Sequence, residues 1–169
     1  QAFDGKARFA LQEPQLGTGH AVQQAEVLLH GEADLVVVTY ADMPLLTAQT
    51  LQRVVQAQQA HPGPLTMLTL LVDDPRGFGR ILRGPDGRVL GIVEEIQATP
   101  EQRTIRELNV GVYCFAAKWL WDALRRVAYL GRGPEVDKQR RGVGGLSQHG
   151  ETTMYVAAMD TRLKAADSS

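Results

Sequence analysis

Apolar and polar positions fall into blocks that predict strands and helices in turn. The clearest block is Leu35–Tyr40 (LVVVTY), an unbroken apolar and β-branched run. Such a run without alternation predicts a strand covered on both faces. Leu65–Val72 (LTMLTLLV) predicts a second buried strand and Leu108–Phe115 (LNVGVYCF) a third. Between the first two, Ala48–Ala60 sets Leu51, Val54, Val55 and Gln58 on one helical face, with Thr47 as N-cap and His61-Pro62-Gly63-Pro64 as the stop. Strand, helix and strand in that order predict a right-handed parallel crossover.

The remaining blocks are shorter. Lys6–Gln12 predicts a short strand, Glu13–Gly19 a loop, and His20–Leu29 a helix stopped by Gly31. Arg80–Leu82 and Val89–Val93 flank Gly84-Pro85-Asp86-Gly87, which reads as a hairpin. Thr99 and Pro100 open a helical turn. Lys118–Val127 predicts an amphipathic helix with Trp119, Leu120, Ala123 and Leu124 inward, and Met154–Met159 a returning strand. Ala128–Gly150 has neither period; it is rich in glycine and carries Lys138, Arg140 and Arg141. Strands alternating with helices give an α/β chain built on an open sheet.

Composition narrows the function classes. The 169 residues are 44% hydrophobic and 22% charged, an ordinary globular balance. With 18 basic and 19 acidic residues the net charge is −1, which offers no field to hold a polyanion, so no nucleic-acid partner is expected. No apolar run approaches the roughly 20 residues that span a bilayer, so no membrane partner is expected either. Cys114 is the only cysteine, which excludes an internal disulfide and a thiolate zinc cluster and fits a cytoplasmic setting.

In open α/β sheets ligands bind beyond the carboxyl ends of strands. That rule points to Glu13–Gly19 and to Ala41–Leu46. Gly17-Thr18-Gly19 before a helix suits close approach of backbone N–H groups to a ligand, or a tight turn capped by Thr18. Asp42, just past an apolar strand, suits magnesium, which takes one or two carboxylates together with phosphate oxygens and water; it equally suits a turn cap. Gly77-Phe78-Gly79-Arg80 is a glycine turn feeding a strand. Glu94 and Glu95 end another strand, and only one of them can face a cleft. Asn109 offers an amide that can bind a sugar hydroxyl, or make a turn contact. The four histidines, His20, His30, His61 and His149, have no ligand partners at motif spacing, and no serine sits in a nucleophile elbow.

Taken in series, QLGTGHAV (15–22), YADMPL (40–45), GFGRI (77–81), IVE (92–94) and ELNVGV (107–112) resemble one family. The order and spacing are similar to the uridyltransferase domain of the bacterial bifunctional N-acetylglucosamine-1-phosphate uridyltransferase/glucosamine-1-phosphate acetyltransferases, within the sugar nucleotidyltransferase superfamily. The resemblance runs from about Leu11 to Val127. It implies a Rossmann-like nucleotidyltransferase sheet, mixed and mostly parallel. It also implies a magnesium-dependent reaction in which UTP and N-acetylglucosamine 1-phosphate give UDP-N-acetylglucosamine and pyrophosphate, a step of cell-wall peptidoglycan biogenesis. Gln12, Gly17, Thr18, Tyr40, Ala41 and Asp42 are then expected at the nucleotide, with Asp42 as catalytic metal ligand. Gly79, Glu94 and Asn109 are expected at the sugar. Two alternatives are a transferase using another sugar 1-phosphate (glucose 1-phosphate, with UTP or dTTP) and a non-catalytic sugar-nucleotide-binding domain of the same fold.

The departures from the family pattern set further expectations. The family's opening strand, its glycine-rich triphosphate loop and the lysine after it do not appear from Gln1 on, Ala41 stands where the family has glycine, Ile96 and Gln97 replace a lysine and an aspartate, and Val110 replaces threonine. The segment 128–150 does not match, and a reading-frame slip across it is one explanation. The division expected is a partial nucleotidyltransferase domain over 1–127, a family-unlike segment over 128–150, and a returning strand with polar tail over 151–169. The chain is expected to be an inactive fragment of a longer protein that trimerises through a C-terminal β-helix domain.

Overall fold

The computed structural model describes residues 7–130 and 154–159. In chain order the elements are α1 (Thr18–Gln24), α2 (Glu26–Leu29), β1 (Leu35–Tyr40), α3 (Ala48–Ala60), β2 (Leu65–Leu71), β3 (Gly79–Arg83), β4 (Val89–Val93), α4 (Pro100–Arg103), β5 (Glu107–Ala116), α5 (Ala117–Leu130) and β6 (Met154–Met159). Six strands form one open sheet flanked by helices, the α/β architecture expected.

The long strand β5 organises the sheet. Along one edge it pairs with β2, from Leu65 opposite Phe115 to Leu71 opposite Glu107. Along the other edge it meets two strands end to end. β1 pairs from Leu35 opposite Ala116 to Val38 opposite Tyr113, and β3 pairs where Gly79 faces Asn109 and Arg80 faces Leu108. β4 then extends β3, and β6 extends β1.

All of these pairings are antiparallel, which corrects two expectations. The sheet is not mostly parallel among the described residues. The segment β1–α3–β2 does link two strands of like direction, but antiparallel β5 lies between them, so the crossover spans an intervening strand. Local patterning reports a strand's burial and carries no record of which distant segment pairs with it.

Both faces of β1 are covered, which accounts for its unbroken apolar run. Val36 and Val38 pack with Val22, Leu29, Ala117, Leu120 and Trp121 beneath α1, α2 and α5. Leu35 and Val37 face the opposite way and pack with Val54 and Cys114, beside Leu51, Val55 and Leu68. The α3 face is the one read from the sequence, and Gln58 at its end donates from Nε2 to the Gly63 carbonyl at 2.6 Å. The N-caps also stand as expected. Thr47 accepts from the Thr50 N–H, and Thr99 forms a full capping box with Gln102.

Four local expectations change. Residues 7–12 are not a strand, and Phe9 and Leu11 are exposed. The helix expected over His20–Leu29 is two short helices parted at Ala25. β2 is only partly buried and ends with Leu71 76% exposed, because among the described residues it pairs on one edge alone. On α5 the inward stripe is Ala117, Leu120, Trp121 and Leu124: Trp121 is 2% exposed and Trp119 45%. The helix begins one residue earlier than expected, and a stripe of period 3.6 from Ala117 selects Trp121. Most of the segment expected to be irregular, residues 131–150, lies outside the described residues, as do His149 and the polar tail 160–169. No helix among the described residues is long and apolar enough to cross a membrane.

Candidate functional site

Along one edge of β5 the pairing is interrupted: β1 reaches Tyr113, β3 begins at Asn109, and the break between them is the crevice at the strand ends. β5 bulges at this point, because Leu68 of β2 is opposite Val112 while Thr69 is opposite Asn109. Gly111 lies in the bulge with φ +76°, a left-handed conformation that L residues resist. The Tyr40 ring, at the end of β1, covers the bare Cα of Gly111 so closely that a Cβ there would fall 2.0 Å from Tyr40 Cε2.

Around this fork the structure gathers most of the strand-end residues singled out in the sequence. Gly79 opens β3 directly opposite Asn109. A Cβ on Gly79 would stand 3.2 Å from Glu94 Oε1, so the glycine lets the Glu94 carboxylate close over the strand. Asn109 Oδ1 accepts from the Gly111 N–H at 3.2 Å and from the Tyr113 hydroxyl at 2.8 Å. Ala41 and Asp42 follow Tyr40 in an exposed turn, and Asp42 makes no hydrogen bond or ion pair among the described residues.

The electrostatics follow from this crowding. Burial pushes the Tyr40 hydroxyl above its ordinary value, and the carboxylates of Glu94 and Asp42 add to the effect. Tyr113 is pushed up to about 12, mainly by burial. Glu94 itself is raised by desolvation. A raised carboxyl binds its proton at a higher pH than a free one, so the anion is lost earlier on acidification. Binding of a ligand that needs the anion is therefore expected to weaken as pH falls, with a midpoint above the ordinary glutamate value of about 4.3. Titrating the Glu94 carboxyl carbon by NMR across pH 3–7 checks the raised value, and an ordinary glutamate midpoint refutes it.

The two adjacent glutamates do divide their contacts. Glu95 accepts from the Gly77 N–H and lies 3.7 Å from Nη2 of Arg80, a side chain only 1% exposed. Arg80 donates in turn to the Phe78 carbonyl. This pair holds the Gly77–Gly79 turn beside Glu94, a role that pattern reading missed because Arg80 looked like an ordinary strand residue.

The glycine turn at 17–19 forms a separate group. Gln12 Nε2 donates to the Gly17 carbonyl at 2.9 Å and lies 3.1 Å from His20 Nδ1. Gly17 is the N-cap of α1 and no side chain caps it, so Thr18 does not cap the turn; its hydroxyl is sealed from solvent with no partner. Among the described residues no hydrogen bond or ion pair joins this group to the crevice at Asn109. Nor do those residues contain a cluster of three or more histidine, cysteine or acidic groups able to hold a metal ion.

Comparison with known proteins decides the family. The model of the nucleotidyl transferase family matches residues 1–138. The chain belongs to the nucleotidyl transferase family. Among similar curated proteins is the bifunctional protein GlmU of Geobacter metallireducens, 50% identical over 119 residues that cover 70% of this chain and 25% of that protein. The GlmU of Geobacter sulfurreducens is 46% identical over 124 residues, covering 73% and 26%. That of Syntrophomonas wolfei is 38% identical over 159 residues, covering 89% and 35%. The chain thus spans between a quarter and about a third of these relatives' length. For this nucleotidyl transferase the α/β architecture is the one the family resemblance implied, whereas the strand pairing among the described residues is antiparallel.

Proposed function

We propose that this chain is the nucleotide- and sugar-binding part of an enzyme that makes UDP-N-acetylglucosamine and pyrophosphate from UTP and N-acetylglucosamine 1-phosphate. One observation carries the reading: in a nucleotidyl transferase, Tyr40, Asp42, Gly79, Glu94 and Asn109 converge at one fork of the sheet. Glu94 and Asn109 supply an acceptor and an amide suited to a sugar's hydroxyl and acetamido groups. The sealed, unpartnered Thr18 hydroxyl suits a contact to the base, beside Gln12 and Gly17. Tyr40 and Ala41 line the nucleotide. The exposed and unpaired Asp42 fits magnesium, because that ion takes few carboxylates and keeps water and phosphate oxygens. A magnesium ion held there would supply positive charge against the phosphates.

The chemistry needs alignment more than a strong base. The sugar phosphate is already ionised near neutral pH. Its oxygen forms a bond to the α-phosphorus of UTP, the bond from that phosphorus to the bridging oxygen breaks, and pyrophosphate leaves with the electron pair. Glu94 and Asn109 hold the sugar so that its phosphate faces the nucleotide, and positioning of this kind supplies much of a phosphoryl-transfer enzyme's rate. A cytoplasmic setting accords with the reading.

A pyrophosphate-release assay tests it. With magnesium, UTP and N-acetylglucosamine 1-phosphate are expected to be used at least about tenfold better than dTTP or glucose 1-phosphate, the discrimination that one or two misplaced polar contacts produce. Preference for dTTP or glucose 1-phosphate overturns the substrate assignment. Tight binding of the sugar nucleotide without turnover in the full-length protein would favour the non-catalytic alternative.

A further inference from the structure

We propose that Tyr113 is a positioning residue that locks the Asn109 carboxamide with its oxygen turned into the sheet, so that Asn109 meets its ligand only as a hydrogen-bond donor. The inference rests on the reading of Asn109 as a sugar contact and adds a residue and a polarity to it.

The orientation follows from donor chemistry. A backbone N–H can only donate, so the Asn109 atom facing Gly111 N at 3.2 Å is the oxygen. That oxygen has no proton, so the Tyr113 hydroxyl 2.8 Å away is the donor to it. Two donors occupy both lone pairs of a carbonyl oxygen and leave no capacity for a ligand proton. Asn109 Nδ2 has no partner among the described residues and is not among the unpartnered atoms sealed from solvent.

The lock is anchored from the core side. The Tyr113 ring lies 5.8 Å from that of Phe115, and both pack against the cluster of Val36, Val38, Leu120 and Trp121. Burial pushes its hydroxyl up to about 12, so it remains a donor throughout the neutral range. The bulge at Gly111 brings the two ends together. Four residues of regular strand would separate Asn109 from Tyr113 by roughly 13 Å of backbone. The crevice therefore presents a fixed donor at Asn109 and an acceptor at Glu94. This pair complements a sugar offering an acceptor oxygen to one and a hydroxyl or amide proton to the other.

Two variants and one ligand-free signal test the proposal on the full chain. In Tyr113→Phe, affinity for N-acetylglucosamine 1-phosphate measured by calorimetry is expected to fall about tenfold, while affinity for UTP holds, since one hydrogen bond is lost and the amide is freed. Without ligand, the Asn109 Cγ resonance is expected to move upfield on losing a donor at its oxygen. In Asn109→Asp both bonds to the sheet survive, while the ligand-facing donor becomes an acceptor and a negative charge is added, so the sugar phosphate is expected to bind about a hundredfold more weakly. Unchanged sugar-phosphate affinity in either folded variant overturns the lock. An equal loss of UTP affinity in Tyr113→Phe overturns it too, by exposing a merely structural role. If the wild-type chain binds no sugar phosphate, the proposed function fails, and the Asn109 resonance still decides the orientation. If Tyr113→Phe does not fold, the Tyr113 hydroxyl proton of the wild type decides: slow exchange with solvent supports its bond to Asn109, and free exchange overturns it.

Discussion

Replacing Asp42 by asparagine is expected to lower magnesium-dependent turnover of UTP in the full-length protein by at least about 100-fold. Residues that hydrogen-bond to metal ligands already cost about 10–100-fold in metal affinity or activity when removed, and a direct ligand costs no less. The substitution is diagnostic because asparagine caps a turn as well as aspartate does. If Asp42 only shaped the turn after β1, the variant would behave as the wild type. Titrating magnesium at fixed UTP, with pyrophosphate release as the readout, separates the two, and an unmoved magnesium curve removes Asp42 from the metal site. The variant also carries an internal control. Burial is the main cause of the raised Tyr40 pKa, but the Asp42 charge contributes, so the Tyr40 hydroxyl is expected to titrate lower in Asp42→Asn. That spectrophotometric shift shows that the side chain was altered where intended.

The largest effect on stability is expected from Gly111→Ala. An L residue in the left-handed region costs about 1–2 kcal/mol. Here the new methyl would also fall 2.0 Å from Tyr40 Cε2, and overpacking of this kind costs about 1–3 kcal/mol more. The sum is about 2–5 kcal/mol, which a urea midpoint registers directly. Gly87 in the β3–β4 hairpin is a matched reference: its φ is +78°, yet nothing lies within 4 Å of a Cβ placed there. Gly87→Ala is therefore expected to show the backbone cost alone, about 1–2 kcal/mol. Equal losses in the two variants would mean that the Tyr40 ring swings away freely, and that the crevice wall it forms is soft.

The legibility of this molecule in its sequence varies with the range of the interactions involved. β1 was plain because Val36, Val37 and Val38 are consecutive, and a run of that kind has few fates other than a doubly covered strand. The caps at Thr47 and Thr99 were plain because a cap is a contact between residues three apart. The partner of β1 was not, since β5 lies some seventy residues downstream and nothing in either segment encodes the pairing. The same reason hid the antiparallel character of the sheet. Lys6–Gln12 failed differently: Ala7, Phe9 and Leu11 alternate as a strand would, but alternation is only permission to pair.

At the site, residue types suited to ligands were visible and the means of holding them were not. Tyr40, Asp42, Gly79, Glu94 and Asn109 stood out by position after or beside strands. Tyr113 did not, and Arg80 and Glu95 stood out only as neighbours of Gly79 and Glu94, since each acts on another residue. One signal for Tyr113 was available: a lone glycine within an apolar strand, as at Gly111, commonly marks a bulge, and a bulge brings residues on either side of it within reach.

Cys114 sits near the C-terminal end of β5, fully buried, with β1 on one edge and β2 on the other, and burial pushes its thiol up to about 11. A thiolate is the reactive form, so this sulfur is chemically silent while the strand stays paired. It is the sole sulfhydryl in the chain. Its rate of alkylation is consequently a clock for the moments when the middle of the sheet comes apart, and the protein carries its own reporter of that event without any added label.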